Sequence, residues 1–253
     1  MPNILLMAAK ERIDKLVYEK GLAPSRERAQ SYIMAGRVLV DQNKIEKPGQ
    51  KVSVEAEIRI LGLDQPYVSR GGVKLAKALE LFDIPVKFRV AMDVGASTGG
   101  FTDCLLQHKA AYVFAIDSGY NQLSWQLVTN PQVKNLEKTN FRHLVFSEIG
   151  TFVDIIVIDV SFISLKKILG NCPKFLIKGG HLIALVKPQF EAGRERVKKG
   201  GLVSDPSVHK EIIQSIKKYA VSVGFQLDKA IASPIIGKKS GNQEYLIHFV
   251  KPE

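Results

Sequence analysis

The stretch of sequence that decides the fold is the ten-residue run Asp93-Val94-Gly95-Ala96-Ser97-Thr98-Gly99-Gly100-Phe101-Thr102. The apolar residues before it predict a buried strand over 90–94, and the residues after it predict a helix near 99–108. A glycine-rich turn between a strand and a helix is typical of sites that bring the backbone close to a nucleotide-like ligand. Glycine suits such a turn because it lacks a Cβ atom.

This loop does not match two common phosphate-binding patterns. No Gly-Lys-Ser/Thr follows it, and the spacing from Gly95 to Gly99 differs from that of the dinucleotide fingerprint. The next predicted strand ends in Asp117, about where an α/β fold places a ribose-binding carboxylate. The combination favours a nucleoside-bearing ligand without a pyrophosphate over an ordinary strand–turn–helix corner. S-adenosylmethionine is the leading candidate.

The composition is that of a folded protein with a polyanionic partner. The chain has 253 residues and 45% hydrophobic residues, which predicts a large domain and a small one. A net charge of +11 favours nucleic acid as the partner over a charge that serves solubility alone. The apolar residues 4–9 are too short for a secretory signal or a membrane span, which predicts a cytoplasmic protein. The two cysteines, Cys104 and Cys172, have no metal-site spacing, and no metal is expected.

Residues 1–61 are predicted to form a small α+β domain. Two short amphipathic helices are expected at 11–20 and 26–35, with strands at 37–41 and 52–60 and a turn at 42–44. The pattern resembles the S4 RNA-binding domain. The resemblance is carried by Arg12-Ile13-Asp14-Lys15-Leu16, Gly21-Leu22-Ala23-Pro24-Ser25-Arg26, Ala29, Ile33, Gly36-Arg37-Val38-Leu39-Val40 and Lys47-Pro48.

Basic residues in this domain are candidates for binding RNA phosphates. The alternative is that they only form a solvent-exposed charged surface. A further candidate is Arg70, at the end of a predicted linker over 62–70. The predicted RNA-binding residues are Arg12, Lys15, Arg26, Arg28, Arg37 and Arg70.

Residues 71–253 alternate between strand and helix patterns. This predicts a doubly wound, Rossmann-like sheet, mostly parallel, in which the last strand is antiparallel. Ligands in such sheets bind at the carboxyl ends of the strands. The predicted strands are 90–94, 111–116, 133–137, 153–158, 180–186, 225–232 and 243–250, and the predicted helices are 72–82, 99–108, 121–128, 164–177 and 206–222.

Four charged residues are expected to converge beside the glycine loop: Lys74, Asp159, Lys187 and Glu244. Each alone is more often a helix cap or a salt-bridge partner. Lys74 stands near the start of a helix, where a lysine is unfavourable beside the helix dipole. Four such residues at matching ends of one sheet favour an active site.

The second domain resembles the FtsJ-type ribose 2′-O-methyltransferases, whose Lys-Asp-Lys-Glu tetrad falls on these four positions in the same order. The whole chain resembles the TlyA (haemolysin A) family of ribosomal RNA 2′-O-methyltransferases. The matching stretches are Ser69-Arg70-Gly71-Gly72-Val73-Lys74-Leu75, residues 93–102, Asp159-Val160-Ser161-Phe162-Ile163-Ser164, Val186-Lys187-Pro188-Gln189-Phe190-Glu191, Lys199-Gly200-Gly201, Asp205-Pro206 and Gly241-Asn242-Gln243-Glu244-Tyr245.

The resemblance implies methyl transfer from S-adenosylmethionine to a ribose 2′-hydroxyl, of a cytidine, in ribosomal RNA or ribosomal subunits. Lys187 is expected to act as the base, Asp159 to hold it, and Lys74 and Glu244 to fix the ribose. Asn140 is a possible adenine contact or simply a turn residue. The predicted cofactor-binding residues are Asp93, Gly95, Ala96, Ser97, Thr98, Gly99, Gly100, Phe101, Thr102, Asp117, Asn140 and Asp159.

Two other functions remain open from the sequence. A non-catalytic RNA-binding or ribosome-assembly protein could keep the same fold, although the intact tetrad argues against it. A membrane-active haemolysin is disfavoured, because the sequence has neither a membrane span nor a strongly amphipathic membrane helix. The modified nucleotide, the ribosomal subunit, the arrangement of the domains and the oligomeric state stay open.

Overall fold

The computed structural model describes residues 9–61, 66–237 and 241–253. The chain divides into two compact units between Pro66 and Tyr67, within the segment predicted as a linker. Residues 62–65 of that linker, and most of the apolar segment 4–9, lie outside the described residues. The units are described separately below.

The first unit contains two helices and two small antiparallel sheets. Strands β1 and β4 form one sheet, and the other has the order β3-β2-β5. Ile13, Val17, Ala29 and Ile33 of the two helices are buried in one apolar cluster with the second sheet. The elements are β1 (Lys10–Arg12), α1 (Ile13–Glu19), α2 (Arg26–Met34), β2 (Val38–Val40), β3 (Asn43–Ile45), β4 (Lys51–Ser53) and β5 (Ile58–Ile60).

Two predictions for this unit are wrong in detail. The turn predicted at 42–44 lies earlier, because Asp41 and Gln42 take positive φ angles of 46° and 66° and β3 then pairs back onto β2. The strand predicted at 52–60 is two strands, β4 and β5, in different sheets. The alternation of apolar residues continues through the turn between them, so periodicity alone does not reveal the break.

The second unit is built around a seven-stranded sheet of order β11-β12-β10-β9-β6-β7-β8. The five strands from β10 to β8 are parallel, and β12 runs antiparallel to both β10 and β11. The predicted doubly wound sheet with an antiparallel last strand is confirmed. The elements are α3 (Arg70–Phe82), β6 (Val90–Val94), α4 (Gly100–Gln107), β7 (Tyr112–Ile116), α5 (Trp125–Val128), β8 (Val133–Leu136), α6 (Phe146–Ile149), β9 (Val153–Ile158), α7 (Lys166–Leu169), β10 (Leu176–Val186), α8 (Pro206–Ser222), β11 (Gln226–Ala232) and β12 (Tyr245–Val250).

Three helical segments differ from the sequence prediction. The helix expected at 121–128 is only the four residues of α5, and α6 was not predicted. The helix expected at 164–177 is α7 followed by a 3₁₀ turn at Cys172–Lys174. Gly170 and Pro173 interrupt that segment, and proline cannot continue the helical hydrogen-bond pattern.

Alternate residues of the central strands enter cores on opposite faces of the sheet. Ala91 and Ile155 pack with α3 and α4 on one face, while Met92 and Ile156 pack with α7 and α8 on the other. Both faces are therefore covered, as parallel sheets require. This packing leaves the carboxyl ends of β6, β7, β9 and β10 as the edge from which the loops of a site can extend.

The glycines of the loop after β6 make room for neighbouring parts of the protein. A Cβ atom on Gly95 would lie 2.7 Å from the backbone oxygen of Asp159, and Gly95 has a φ of +87°. A Cβ on Gly99 would collide with the side chains of Leu123 and Leu127. The sequence predicts a tight turn and close approach of a ligand at these glycines, and the structure adds that they allow the loop to pack against the residue after β9 and against α5 and the segment before it.

A Gly95→Ala substitution is expected to destabilise the protein by more than Gly150→Ala. Both glycines have positive φ angles, but a Cβ on Gly150 meets nothing within 4 Å. Gly150→Ala should therefore cost only the backbone strain of about 1–2 kcal/mol, and Gly95→Ala should add the collision with Asp159. Denaturant unfolding of both variants measures the difference. Equal losses would contradict the packing role of Gly95.

Candidate active site

The four charged residues singled out in the sequence form two ion pairs. Lys74, on α3, places Nζ 2.5 Å from Oε2 of Glu244, which immediately precedes β12. Lys187, immediately after β10, places Nζ 2.5 Å from Oδ1 of Asp159, immediately after β9. The Lys74–Glu244 pair is buried, while the Lys187–Asp159 pair is partly accessible. Distant segments are thus joined at the carboxyl edge of the sheet.

Ser161 adds a second contact to Lys187. Nζ of Lys187 donates a hydrogen bond of 2.9 Å to Oγ of Ser161, two residues beyond Asp159. The amine is therefore held from two directions by the loop that follows β9. Ser161 belongs to a stretch quoted above, but its hydroxyl was not singled out as a site residue.

Asp93, near the carboxyl end of β6, is fully buried, and only one of its two carboxylate oxygens accepts hydrogen bonds. Its Oδ2 accepts hydrogen bonds from the backbone N–H and the hydroxyl of Thr102. Its Oδ1 has no hydrogen-bond partner among the described residues. Burial raises the pKa of Asp93 to about 7, with the negative charge of Asp159 adding to the increase and the bonds from Thr102 opposing it. A carboxylate oxygen here is available to a ligand donor.

Asp117, at the end of β7, organises the neighbouring loops. Its Oδ2 accepts a hydrogen bond of 2.8 Å from the N–H of Ser97, and its Oδ1 accepts one of 2.7 Å from the N–H of Gly119. Each carboxylate oxygen has a second acceptor direction, so these bonds leave capacity for ligand hydroxyls. Ser97 itself has a positive φ of 48°, unusual for a non-glycine residue.

Two adjoining cavities lie along this edge. The larger one has a volume of about 510 Å³, and the smaller one, about 170 Å³, is bounded by the glycine loop and the lysines. Gly95, Ser97, Asp159 and Ser161 line both. The larger cavity is lined by Val94, Gly95, Ser97, Ile116, Asp117, Ser118, Gly119, Gln122, Thr139, Asn140, Phe141, Arg142, Asp159, Val160, Ser161, Phe162, Ile163 and Ile168. The smaller is lined by Ser69, Gly71, Lys74, Asp93, Gly95, Ala96, Ser97, Thr98, Gly100, Phe101, Asp159, Ser161 and Lys187.

Three of the predicted site residues lie behind the cavity walls. Gly99 packs against apolar side chains, and Thr102 donates hydrogen bonds to Asp93. Glu244 does not line a cavity itself but is paired with Lys74, which does. Asn140 lines the larger cavity and also performs the turn role considered for it, because its Oδ1 accepts hydrogen bonds from Arg142. The remaining predicted cofactor and catalytic residues line one cavity or both.

Residues that sequence reasoning missed come mostly from loops without a distinctive composition. Ser118 and Gly119 follow β7, Thr139 follows β8, and Phe162 follows β9. Phe162 is 88% exposed and has a positive φ of 64°, with its ring 5.1 Å from that of Phe190. The signal that could have found these residues is their position soon after the carboxyl ends of parallel strands. Phe162 also lies in one of the stretches quoted above for the family resemblance.

In the first unit, the buried carboxylate of Asp14 contacts two of the predicted RNA-binding arginines. It accepts hydrogen bonds from Arg12, Arg26 and Gln30. The bond from Arg12, with those from Gln30 and Arg26, holds the pKa of Asp14 well below its usual value despite burial. The arginine side chains remain 43–44% exposed. They are therefore fixed in place while still presenting positive charge to solvent.

The other predicted RNA-binding residues have varied surroundings. Arg28 and Arg37 each place the guanidinium carbon 5.0 Å from the ring centre of Tyr32. Lys15 pairs with Glu11 at 2.6 Å. Arg70, in the second unit, donates a hydrogen bond of 2.9 Å to the carbonyl oxygen of Ile236. Its contact fixes a loop of its own unit, which is a structural role that the sequence did not predict.

Comparison with known families agrees with this geometry. The model of the FtsJ-like methyltransferase family matches residues 67–251, the region that holds both cavities and both ion pairs. The chain belongs to the FtsJ-like methyltransferase family. The model of the S4 domain matches residues 11–58 of the first unit.

Similar proteins cover nearly the full chain. A candidate rRNA methyltransferase of Bacillus subtilis, YqxC, is 44% identical over 98% of this chain and 88% of its own length. The 16S/23S rRNA (cytidine-2′-O)-methyltransferase TlyA of Mycobacterium tuberculosis is 41% identical over 95% of this chain and 90% of its own. A solved structure from Streptococcus thermophilus, described as a candidate hemolysin, has 42% identity and a TM-score of 0.75, covering 96% of this chain and 89% of that one.

The site fits the methyl donor expected for an FtsJ-like methyltransferase. The larger cavity has the volume typical of a cofactor site. Asp93 offers a buried, unpartnered carboxylate oxygen beside the smaller cavity, suited to a cationic amine. Asp117, on the larger cavity, offers acceptor capacity to hydroxyl groups. These features match a ligand that carries an ammonium group at one end and a ribose at the other.

Two further observations concern the alternatives left open by the sequence. Across residues 9–61, 66–237 and 241–253, none of the helices has the length and hydropathy of a membrane span. Within the same residues, no cluster of three or more histidine, cysteine or acidic side chains is arranged to hold a metal ion.

The raised pKa of Asp93 predicts a specific pH dependence of stability in the donor-free protein. A carboxyl whose pKa in the folded state, about 7, exceeds its unfolded value stabilises the fold fully below the unfolded value near 4, and this contribution is lost as the pH rises to 7. The free energy of unfolding should therefore fall between pH 4 and 7. Asp93→Asn should remove this part of the slope. Parallel profiles for the two proteins in denaturant titrations would contradict the prediction.

Proposed function

We propose that this protein transfers a methyl group from S-adenosylmethionine to a ribose 2′-hydroxyl of ribosomal RNA, on a cytidine. The observation that carries the proposal is the pair of lysine–carboxylate contacts beside one cavity that also meets the glycine loop. The name of the Mycobacterium tuberculosis relative supports both the ribose hydroxyl and the cytidine. The S4 domain supports RNA as the partner.

When bound, S-adenosylmethionine supplies a methyl group already activated by the sulfonium. The part left to the protein is to align the ribose hydroxyl and accept its proton. Lys187 lines the smaller cavity, and in its neutral amine form Nζ is the base that takes the proton from the 2′-oxygen as the methyl group is transferred. Asp159, 2.5 Å away, stabilises the ammonium that results, and Ser161 fixes the direction of Nζ.

Lys74 is the second cation of the site. It lies on the wall of the smaller cavity, and Glu244 behind it holds its side chain in place. From this position Lys74 donates a hydrogen bond to the ribose and leaves the proton transfer to Lys187. Because the methyl donor is already reactive, this alignment accounts for much of the rate.

The arginines around Asp14 and Tyr32 are proposed to bind RNA phosphates. The contacts of Arg12 and Arg26 with Asp14 reduce the entropy lost when they meet a phosphate. A recognition of this type depends on the shape and backbone of folded RNA more than on its sequence.

The test is methyl transfer from radiolabelled S-adenosylmethionine to ribosomal RNA, isolated subunits and intact ribosomes. The expected product is 2′-O-methylcytidine, identified by mass spectrometry of nuclease fragments. Methylation of a base would overturn the ribose assignment, and methylation of another nucleoside's ribose would overturn the cytidine. Donor binding without transfer to any ribosomal substrate would favour a non-catalytic RNA-binding protein.

A further inference from the structure

A basic loop leaves the catalytic edge of the sheet after β10. It is defined here as residues 194–202, and residues 194–199 contain four basic residues and one acidic residue. It begins with a 3₁₀ turn at Arg194–Arg196 and precedes α8. None of its residues lines either cavity described above, so the function of the active site leaves this charge unexplained.

One cation of the basic loop is used internally and three are not. Arg196 donates hydrogen bonds to Glu211 at 2.7 Å and to the carbonyl oxygen of Ala192 at 2.8 Å, which fixes the base of the loop. The other three, Arg194, Lys198 and Lys199, are exposed. They have no ion-pair partner in the part of the chain that the structure describes.

The tip of the loop has a defined backbone. The N–H of Lys198 donates to the carbonyl oxygen of Leu202 at 2.9 Å, and the N–H of Gly201 donates to that of Lys198 at 2.9 Å. Gly200 and Gly201 both have a φ of +84°, which glycine adopts without strain. A Cβ on Gly200 would meet nothing within 4 Å, so the tip presents bare backbone to solvent. Lysines and open backbone together suit an anionic oxygen.

Asn242 ties this loop to the active site. It is 1% exposed, and its Oδ1 accepts a hydrogen bond of 2.8 Å from the N–H of Val203. Its Nδ2 donates to the carbonyl oxygen of Gly201 at 2.8 Å and to the side chain of Gln189 at 3.0 Å. Gln189 lies two residues after Lys187, and Asn242 lies two residues before Glu244. The root of the basic loop is therefore bonded to both chain segments that carry these tetrad residues.

We propose that the basic loop binds the phosphate backbone of the RNA strand whose ribose enters the active site. The inference rests on the proposed function and adds a second RNA contact, on the catalytic domain, to that of the S4 domain. Unpaired cations on an anchored loop gain counterion-release energy from a polyanion and lose little conformational entropy. Contacts of this kind position the strand without reading its sequence.

The test is the triple variant Arg194→Gln, Lys198→Gln, Lys199→Gln in the full chain, with ribosomal RNA or subunits as substrate. We expect the KM for RNA to rise about tenfold at physiological salt, and the slope of log(kcat/KM) against log salt to become shallower by about 2. The kcat at saturating RNA and the Kd for S-adenosylmethionine should stay within twofold of wild type, because no varied residue lines a cavity.

The matched control is Lys87→Gln, Lys109→Gln, Lys178→Gln, which removes the same charge from three exposed lysines near the amino ends of β6, β7 and β10. It should leave the KM and the salt slope near wild type. Equal effects of the two triple variants would show a general charge effect and overturn the inference, as would an unchanged KM in the loop variant. Absence of methyl transfer by the wild-type protein would instead overturn the proposed function, so the two failures are distinguishable.

Discussion

Lys187→Met is expected to lower the rate of methyl transfer by about a thousand-fold, within the 10²–10⁴ contribution of a positioned general base. Methionine keeps much of the length and apolar volume of the side chain but cannot accept a proton. The variant also removes the contacts with Asp159 and Ser161. Single-turnover transfer with saturating donor and RNA measures the chemical step, and calorimetry checks that donor binding changes by less than about fivefold.

The matched control for this variant is Lys166→Met. Lys166 is also half-buried and its Nζ donates to a serine, Ser215, at 2.6 Å, but it lines neither cavity. The Lys166→Met variant should transfer methyl groups at close to the wild-type rate. Transfer by Lys187→Met at the rate of the control would remove Lys187 from the mechanism and leave alignment alone as the source of catalysis.

Glu244→Ala is expected to destabilise the protein by about 3–5 kcal/mol, because it leaves the buried ammonium of Lys74 without its partner. It should also lower methyl transfer by about a hundred-fold, since Lys74 loses the contact that holds it on the cavity wall. Denaturant unfolding and single-turnover transfer, both below the unfolding temperature of the variant, measure the two effects separately.

The double variant Lys74→Met, Glu244→Leu separates the structural role of this pair from its catalytic role. Replacing both charges by apolar residues of similar volume is often neutral for stability, so the free energy of unfolding should return to within about 1 kcal/mol of wild type. Methyl transfer should remain low, because the cation facing the ribose is gone. Recovery of both properties would show that the pair only stabilises the fold. Failure to recover stability would contradict the burial argument for Glu244→Ala.

The sequence predicted the parts of the fold that depend on local pattern. Buried runs such as 90–94 and 153–158 become strands at the same bounds, because apolar side chains on both faces specify a central parallel strand. The helix at 206–222 is also as predicted, with Asp205 as its N-cap and Pro206 at its first position. Short elements such as α5 and α6 were shorter than expected or missed, because one turn of helix depends on tertiary contacts more than on propensity.

In the candidate site, too, some features can be predicted from the sequence and others depend on tertiary contacts. The order and residue types of the tetrad, and the glycine loop, are visible in the chain itself. The pairing of Lys74 with Glu244 joins residues 170 positions apart and depends on the packing of α3 against the face of the sheet that holds β10 and β12. The unpartnered oxygen of Asp93, the hydroxyl of Ser161 and the buried amide of Asn242 likewise depend on which segments meet in space.

The stretch at residues 93–102 shows both what the local sequence determines and what only the tertiary structure decides. Its sequence by itself determined a strand, a tight turn and a helix, because the apolar run and the glycines act on the local backbone. Only the tertiary structure decided what the glycines accommodate: at Gly95 it is the backbone of Asp159, and at Gly99 the side chains of Leu123 and Leu127. A missing Cβ permits close approach but does not specify the approaching atom, which is set by the packing of segments far apart in the chain.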